Sequence, residues 1–74
     1  MPHYRVHRPN GRTVTHVNVT ARNKNAVVHA IGTEIRNSGI RDFHTNYRVI
    51  YKDDGTCLIR SRVNGELTMI AEVC

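Results

Sequence analysis

The dipeptide Asn10-Gly11, set in the stretch HYRVHRPNGRTVTHVNV, constrains the fold more than any other feature of this 74-residue chain. Two neighbouring residues that tolerate positive φ suit a two-residue type I′ turn, whose twist matches that of the strands it joins. A turn at this point sets a register. Arg8 faces Thr13, Val6 faces Thr15 and Tyr4 faces Val17; on the other parity His7 faces Val14, Arg5 faces His16 and His3 faces Asn18. Side chains alternate across a strand, so Tyr4, Val6, Val17 and Val19 share one side while His3, Arg5, His7 and His16 share the other. The expectation is a ribbon that buries its tyrosine and valines and turns its imidazoles and guanidinium toward water.

Beyond this hairpin, ARNKNAVVHAIGTEIRNSG places Val27, Val28, Ile31 and Ile35 at the three-to-four spacing of an amphipathic helix, about residues 24 to 37. Asn23 suits the N-cap, because its side-chain oxygen accepts from a free N–H of the first turn, and Gly39 suits the left-handed position that closes the helix. Gly32 lowers helix stability by about 1 kcal/mol relative to alanine and marks a close approach to the sheet. His29, beside Val28, reads as a half-buried structural histidine.

From His44 the pattern turns to strands: HTNYRVIYK, TCLIRSRV and ELTMIAEVC, rich in β-branched and aromatic residues and separated by turn signals. Asp53-Asp54-Gly55 fits a three-residue loop with Gly55 left-handed, and Asn64-Gly65 fits a second type I′ turn. With those turns Val49, Tyr51, Cys57, Ile59 and Ile70 fall on one face, and Arg48, Ile50, Lys52, Leu58, Arg60, Arg62, Leu67 and Met69 on the other. A two-residue Asp54-Gly55 loop would instead place Ile50 with Ile59. The predicted fold is α+β: a single domain, residues 1–74, ordered ββαβββ, with one helix packed on one face of a mostly antiparallel sheet of about five strands.

Charge narrows the class of partner. The net charge is +5, and residues 1–33 carry five bases (Arg5, Arg8, Arg12, Arg22, Lys24) and no acid, whereas residues 34–74 balance six against six. This asymmetry suggests an anionic partner, either nucleic acid or an acidic protein surface. No stretch has the apolar length of a membrane span or of a signal peptide, so a cytoplasmic protein without a membrane partner is expected.

Chemistry of other kinds finds little support. Residues i and i+4 of a strand lie about 13 Å apart, which separates His3 from His7, and the residue opposite His16 is Arg5. No paired Cys/His spacing or Gly-rich phosphate loop is present. Neither a metal nor a cofactor is expected. Cys57 and Cys74 read as free thiols, and Asp53-Asp54 reads as a turn rather than an acid–base pair, so no catalytic residue is assigned.

What remains is binding. Arg5, His7, His16, Arg48, Lys52, Arg60, Arg62 and Met69 are the expected partner-binding residues, forming one cationic, partly apolar open sheet face. Exposed apolar groups rimmed by charge mark protein contacts, and homodimerisation through the same patch is an alternative. RNA readers stack bases on exposed aromatics, but Tyr4, Tyr47 and Tyr51 all have core parity.

The segments YRVHRPNGRTVTHVNVTARNKNAVVHAI and YRVIYKDDGTCLI, a strand pair, a helix and a strand returning to a DG hairpin, resemble in arrangement small phage-encoded anti-CRISPR inhibitor proteins. The resemblance spans nearly the whole chain. It implies a non-catalytic inhibitor that blocks a host protein or ribonucleoprotein surface in the host cytoplasm, with direct DNA or RNA contact as the alternative.

Overall fold

A computed structural model describes residues 3–20 and 23–74. The elements run β1 (His3–His7), β2 (Thr13–Asn18), α1 (Lys24–Asn37), α2 (Phe43–Asn46), β3 (Tyr47–Tyr51), β4 (Cys57–Ser61) and β5 (Leu67–Val73). This is the expected α+β order, ββαβββ, with the short α2 added ahead of β3. Arg22, one of the five cations counted in the first segment, and Ala21 lie outside the described residues, as do Met1 and Pro2.

All strand pairs are antiparallel and the spatial order is β2-β1-β5-β4-β3. The first and last strands therefore lie side by side near the middle, and β2 and β3 form the edges. The 14 residues of α1 span about 21 Å, comparable to the roughly 19 Å between the edge strands. The helix packs nearest β2 and β3, carrying the chain from one edge to the other so that the meander can return to β1.

Local signals explain α1. Asn23 Oδ1 accepts from the Ala26 N–H at 2.8 Å, and Gly39 takes φ +112° at the far end. Val27, Ile31 and Ile35 are buried against the sheet residues Tyr4, Val6, Val17, Cys57, Ile59, Met69 and Ala71, and Gly32 is buried beside them. Each large aliphatic side chain fully buried in this way contributes roughly 1.5–3 kcal/mol. Gly32 does mark a close approach, but to α2 rather than the sheet. A Cβ there would stand 3.3 Å from both His44 Cε1 and Phe43 Cε2.

The third strand, expected from His44, starts later than its composition suggests, at Tyr47. The Asp42 carbonyl accepts from the Thr45 and Asn46 N–H groups, winding residues 43–46 into α2. Phe43 is thereby driven into the core at 2 % exposure, with its ring stacked on Tyr47 at 5.8 Å.

Both Asn-Gly hairpins differ from the type I′ expectation, and in neither does the Asn take positive φ. No residue other than glycine takes positive φ among the described residues, since a left-handed non-glycine costs about 1–2 kcal/mol. At the first turn Arg8 pairs with Arg12 around a three-residue loop, with Pro9 suited to the first corner of a type I turn and Gly11 at φ +90°. That shift is reversed by a bulge at Val14, so His7 faces Thr13 while Val6, Arg5, Tyr4 and His3 keep the expected partners. At the second turn Ser61 pairs with Glu66 around four residues. A bulge at Thr68 corrects the register by only one, and β5 is left one residue from the expected pairing: Ile59 faces Met69 and Leu58 faces Ile70. One residue inverts a strand, so Met69 is buried and Ile70 lies on the open face.

Candidate functional site

The helix covers one side of the sheet and leaves the other bare. Across the bare side, cross-strand pairing lines up His7, Ile70, Leu58 and Ile50 on β1, β5, β4 and β3. Ile70, Leu58 and Ile50 are each half-buried by their neighbours alone. Next to this apolar row, toward the β4–β5 loop, Arg60 stands directly opposite Arg48. Like charges opposed across a strand pair are destabilising, and no acid pairs with either: among the described residues the one ion pair is His7 with Glu72.

The predicted residues divide between this patch and other places. Arg48 is exposed on the edge strand, and no hydrogen bond or ion pair holds it. Arg60 donates from Nη1 to the Gly65 carbonyl at 2.9 Å, which steadies the β4–β5 hairpin while leaving the guanidinium on the open face. Lys52 is exposed at the β3–β4 turn. There its ammonium assists the Thr56 N–H in holding the Asp54 carboxyl below the usual carboxylate range, the hydrogen bonding to Thr56 being the larger cause.

Arg5 belongs elsewhere. Its Nε donates to Thr13 Oγ1 at 2.8 Å and its Nη2 to the Gly11 carbonyl, so it clamps the first hairpin. His7 is only 9 % exposed, contrary to the solvent-facing role expected of it. Its strand is flanked by β2 and β5, its Nδ1 donates to the Arg8 carbonyl at 2.9 Å, and its Nε2 lies 3.2 Å from Glu72 Oε2.

Met69, placed on the partner face by its sequence, is at 0 % exposure for the register reason given above; Ile70 replaces it. Arg62 lies in the β4–β5 loop rather than on the sheet, with its Nε donating to the Tyr47 carbonyl at 2.9 Å and its N–H to the Asn46 carbonyl at 2.7 Å. The continuous cationic face is thus interrupted. Glu72, opposite Arg5, and Ile70 separate the cations of β1 and β2 from those of β3 and β4.

A second feature lies on the helix side. Between the start of α1 and β3 is an open groove of about 560 Å³ rimmed by Lys24, His29, His44, Arg48 and Arg62, with Phe43 and Tyr47 in its wall and no carboxylate in its lining. His29 is exposed here, not half-buried, because it sits one position past the buried stripe. The signal in the sequence is weak, since these basic residues come from four separate elements and no spacing relates them.

A third grouping, which the sequence reading of His3, His7 and His16 does not bring together, is His3, His16 and Cys74. His16 does not face His3 directly, but their rings meet on the diagonal, with centroids 5.1 Å apart and 23° between planes. Cys74 follows β5 onto the far side of His3, donating its N–H to the His3 carbonyl at 2.8 Å. Of the two thiols, Cys57 is buried and Cys74 exposed; burial pushes the Cys57 thiol up to about 11.

Comparison with known proteins found no match among protein-family models, curated proteins or solved structures. No helix among the described residues is long and apolar enough to cross a membrane.

Proposed function

We propose that the protein is a non-enzymatic binding protein that docks an acidic protein surface on its bare sheet face, acting as an inhibitor of a host defence complex of the CRISPR type in the host cytoplasm. The observation that carries the binding surface is the uncovered Ile70–Leu58–Ile50 row lying beside the opposed Arg48 and Arg60. An apolar strip favours a dry partner, and two guanidiniums facing each other with no acidic partner favour carboxylates or phosphates between them. The inhibitor role rests on the resemblance in arrangement to phage-encoded anti-CRISPR proteins.

The test is capture of a host protein or ribonucleoprotein on the tagged protein, with and without nuclease, followed by the variants Leu58→Asp and Arg60→Glu. The reading requires nuclease-resistant capture that both variants abolish and that His29→Glu leaves intact. Capture that survives Leu58→Asp and Arg60→Glu excludes this face, and a second copy of the chain as the occupant would register as a concentration-dependent dimer.

The carboxylate-free groove supports a second reading, direct contact with DNA or RNA phosphates. Binding of this kind weakens steeply with salt, by about one unit of log–log slope per phosphate neutralised. Under it Arg62→Glu and Lys24→Glu, not Leu58→Asp, remove the affinity.

A further inference from the structure

His3 stands in the middle of a row across three strands. Asn18 is its partner on β2, and on the other side Cys74 extends the β1–β5 ladder. His16 lies one row along on β2, beside it. All of these project on the bare face, at the edge remote from Arg48 and Arg60. The His3 Nε2 and His16 Nδ1 atoms are 3.1 Å apart, and one ligand atom from each of His3, His16 and Cys74 falls within a set whose members lie no more than 4.8 Å from one another.

The geometry points to a divalent metal site, of the class that takes Zn²⁺, formed by His3 Nε2, His16 Nδ1 and the Cys74 thiolate with the fourth position open to solvent. Two nitrogens bound to one tetrahedral Zn²⁺ lie about 3.3 Å apart, given Zn–N bonds near 2.0–2.1 Å. The imidazoles stand near that separation already. The sulfur needs a further approach of about 1 Å to reach its own bond length, which an exposed residue beyond the last strand accommodates. Two imidazoles and a thiolate favour a borderline-soft ion over Mg²⁺ or Ca²⁺, which take oxygen donors.

One of the three ligands already has its outer partner in place. His3 Nδ1 lies 2.7 Å from Asn18 Oδ1, and an acceptor there puts the ring hydrogen on Nδ1 and leaves Nε2 as the nitrogen with a lone pair, which accepts from His16 Nδ1 at 3.1 Å until a metal takes its place. The hydrogen that His16 Nδ1 then donates to His3 moves to His16 Nε2, and the Cys74 proton leaves to solvent as the S–metal bond forms. No oxidation or reduction is involved. Cys57 does not compete, being enclosed in the core at 0 % exposure.

The experiment is titration of the reduced, chelator-stripped protein with Zn²⁺, and separately with Co²⁺ as a spectroscopic probe. One equivalent should bind, and Co²⁺ should show a thiolate charge-transfer band that Cys74→Ser abolishes. His16→Ala should remove stoichiometric uptake, and Asn18→Ala should weaken it by about 10–100-fold. The double variant His29→Ala/His44→Ala should bind as the parent does. His16 and Cys74 are exposed, and circular dichroism of the variants confirms that loss of metal is not loss of fold. Failure to take up Zn²⁺, or uptake unchanged in Cys74→Ser and His16→Ala, overturns the site.

Discussion

Truncating Met69 and Ile70 one at a time to alanine tests the register of β5, and with it the identity of the bare face. Met69 is at 0 % exposure and faces Ile59, itself at 0 %. Met69→Ala removes roughly three methylene equivalents at about 0.8 kcal/mol each, and the residual cavity raises the total to about 3 kcal/mol. A chain of this length is stabilised by about 4–11 kcal/mol in all, so the variant should lose a large part of its stability. Its Tm should fall by roughly 12–24 °C at about 4–8 °C per kcal/mol. Ile70, half-buried beside Leu58 with no layer above it, should cost about 1 kcal/mol or less when truncated. Urea unfolding followed by circular dichroism measures both, at constant m-value. If Ile70→Ala proves as costly as Met69→Ala, or costlier, the β4–β5 turn is the two-residue type I′ and the bare face carries Met69, which would refute the surface argued above.

Gly32→Ala should destabilise by about 1 kcal/mol despite alanine's better helix propensity, because the new methyl meets Phe43 and His44 at 3.3 Å and buried Phe43 cannot yield; thermal unfolding reads the sign. Asp54 contributes stability that is present above its ordinary value of 3.8 and is lost as pH falls through its lowered folded value. Asp54→Asn, which keeps an acceptor for the Thr56 N–H as Asn10 does for Arg12 and Asn64 for Glu66, should fold normally and flatten the acid limb of the stability–pH curve below about pH 4. With Cys57 raised to about 11 by burial, its thiolate is absent at neutral pH, so iodoacetamide should modify Cys74 alone in the folded protein and both thiols in denaturant, as counted by mass spectrometry.

How much of the surface was legible depends on how local each signal was. Arg48, Arg60, Ile50 and Leu58 were readable because the Asp53-Asp54-Gly55 loop has the expected three residues, with Gly55 at φ +89°, and β3 and β4 follow from it by alternation. Met69 and Ile70 were exchanged because their strand lies beyond a loop whose length is set from outside it: the Arg62 N–H and Nε are held by the Asn46 and Tyr47 carbonyls, 15 or 16 residues earlier. The His3, His16 and Cys74 grouping depends on the pairing of β1 with β5, a contact between the two ends of the described chain that no periodicity encodes. His7 was misplaced for the same reason, since its burial comes from β5 and Glu72.

By itself the sequence determined what acts over a few residues: where α1 is capped at Asn23 and closed at Gly39, which side of it is apolar, that five strands alternate about turns, and that the basic excess lies early in the chain. Tertiary structure decided the strand order, the loop length at Asn64-Gly65 and therefore the side of β5 that faces the helix. The physical reason is that a strand's period of two makes its facing depend on a single residue of register. Competing turns at that position differ by little locally, so the choice falls to hydrogen bonds and packing with segments distant along the chain.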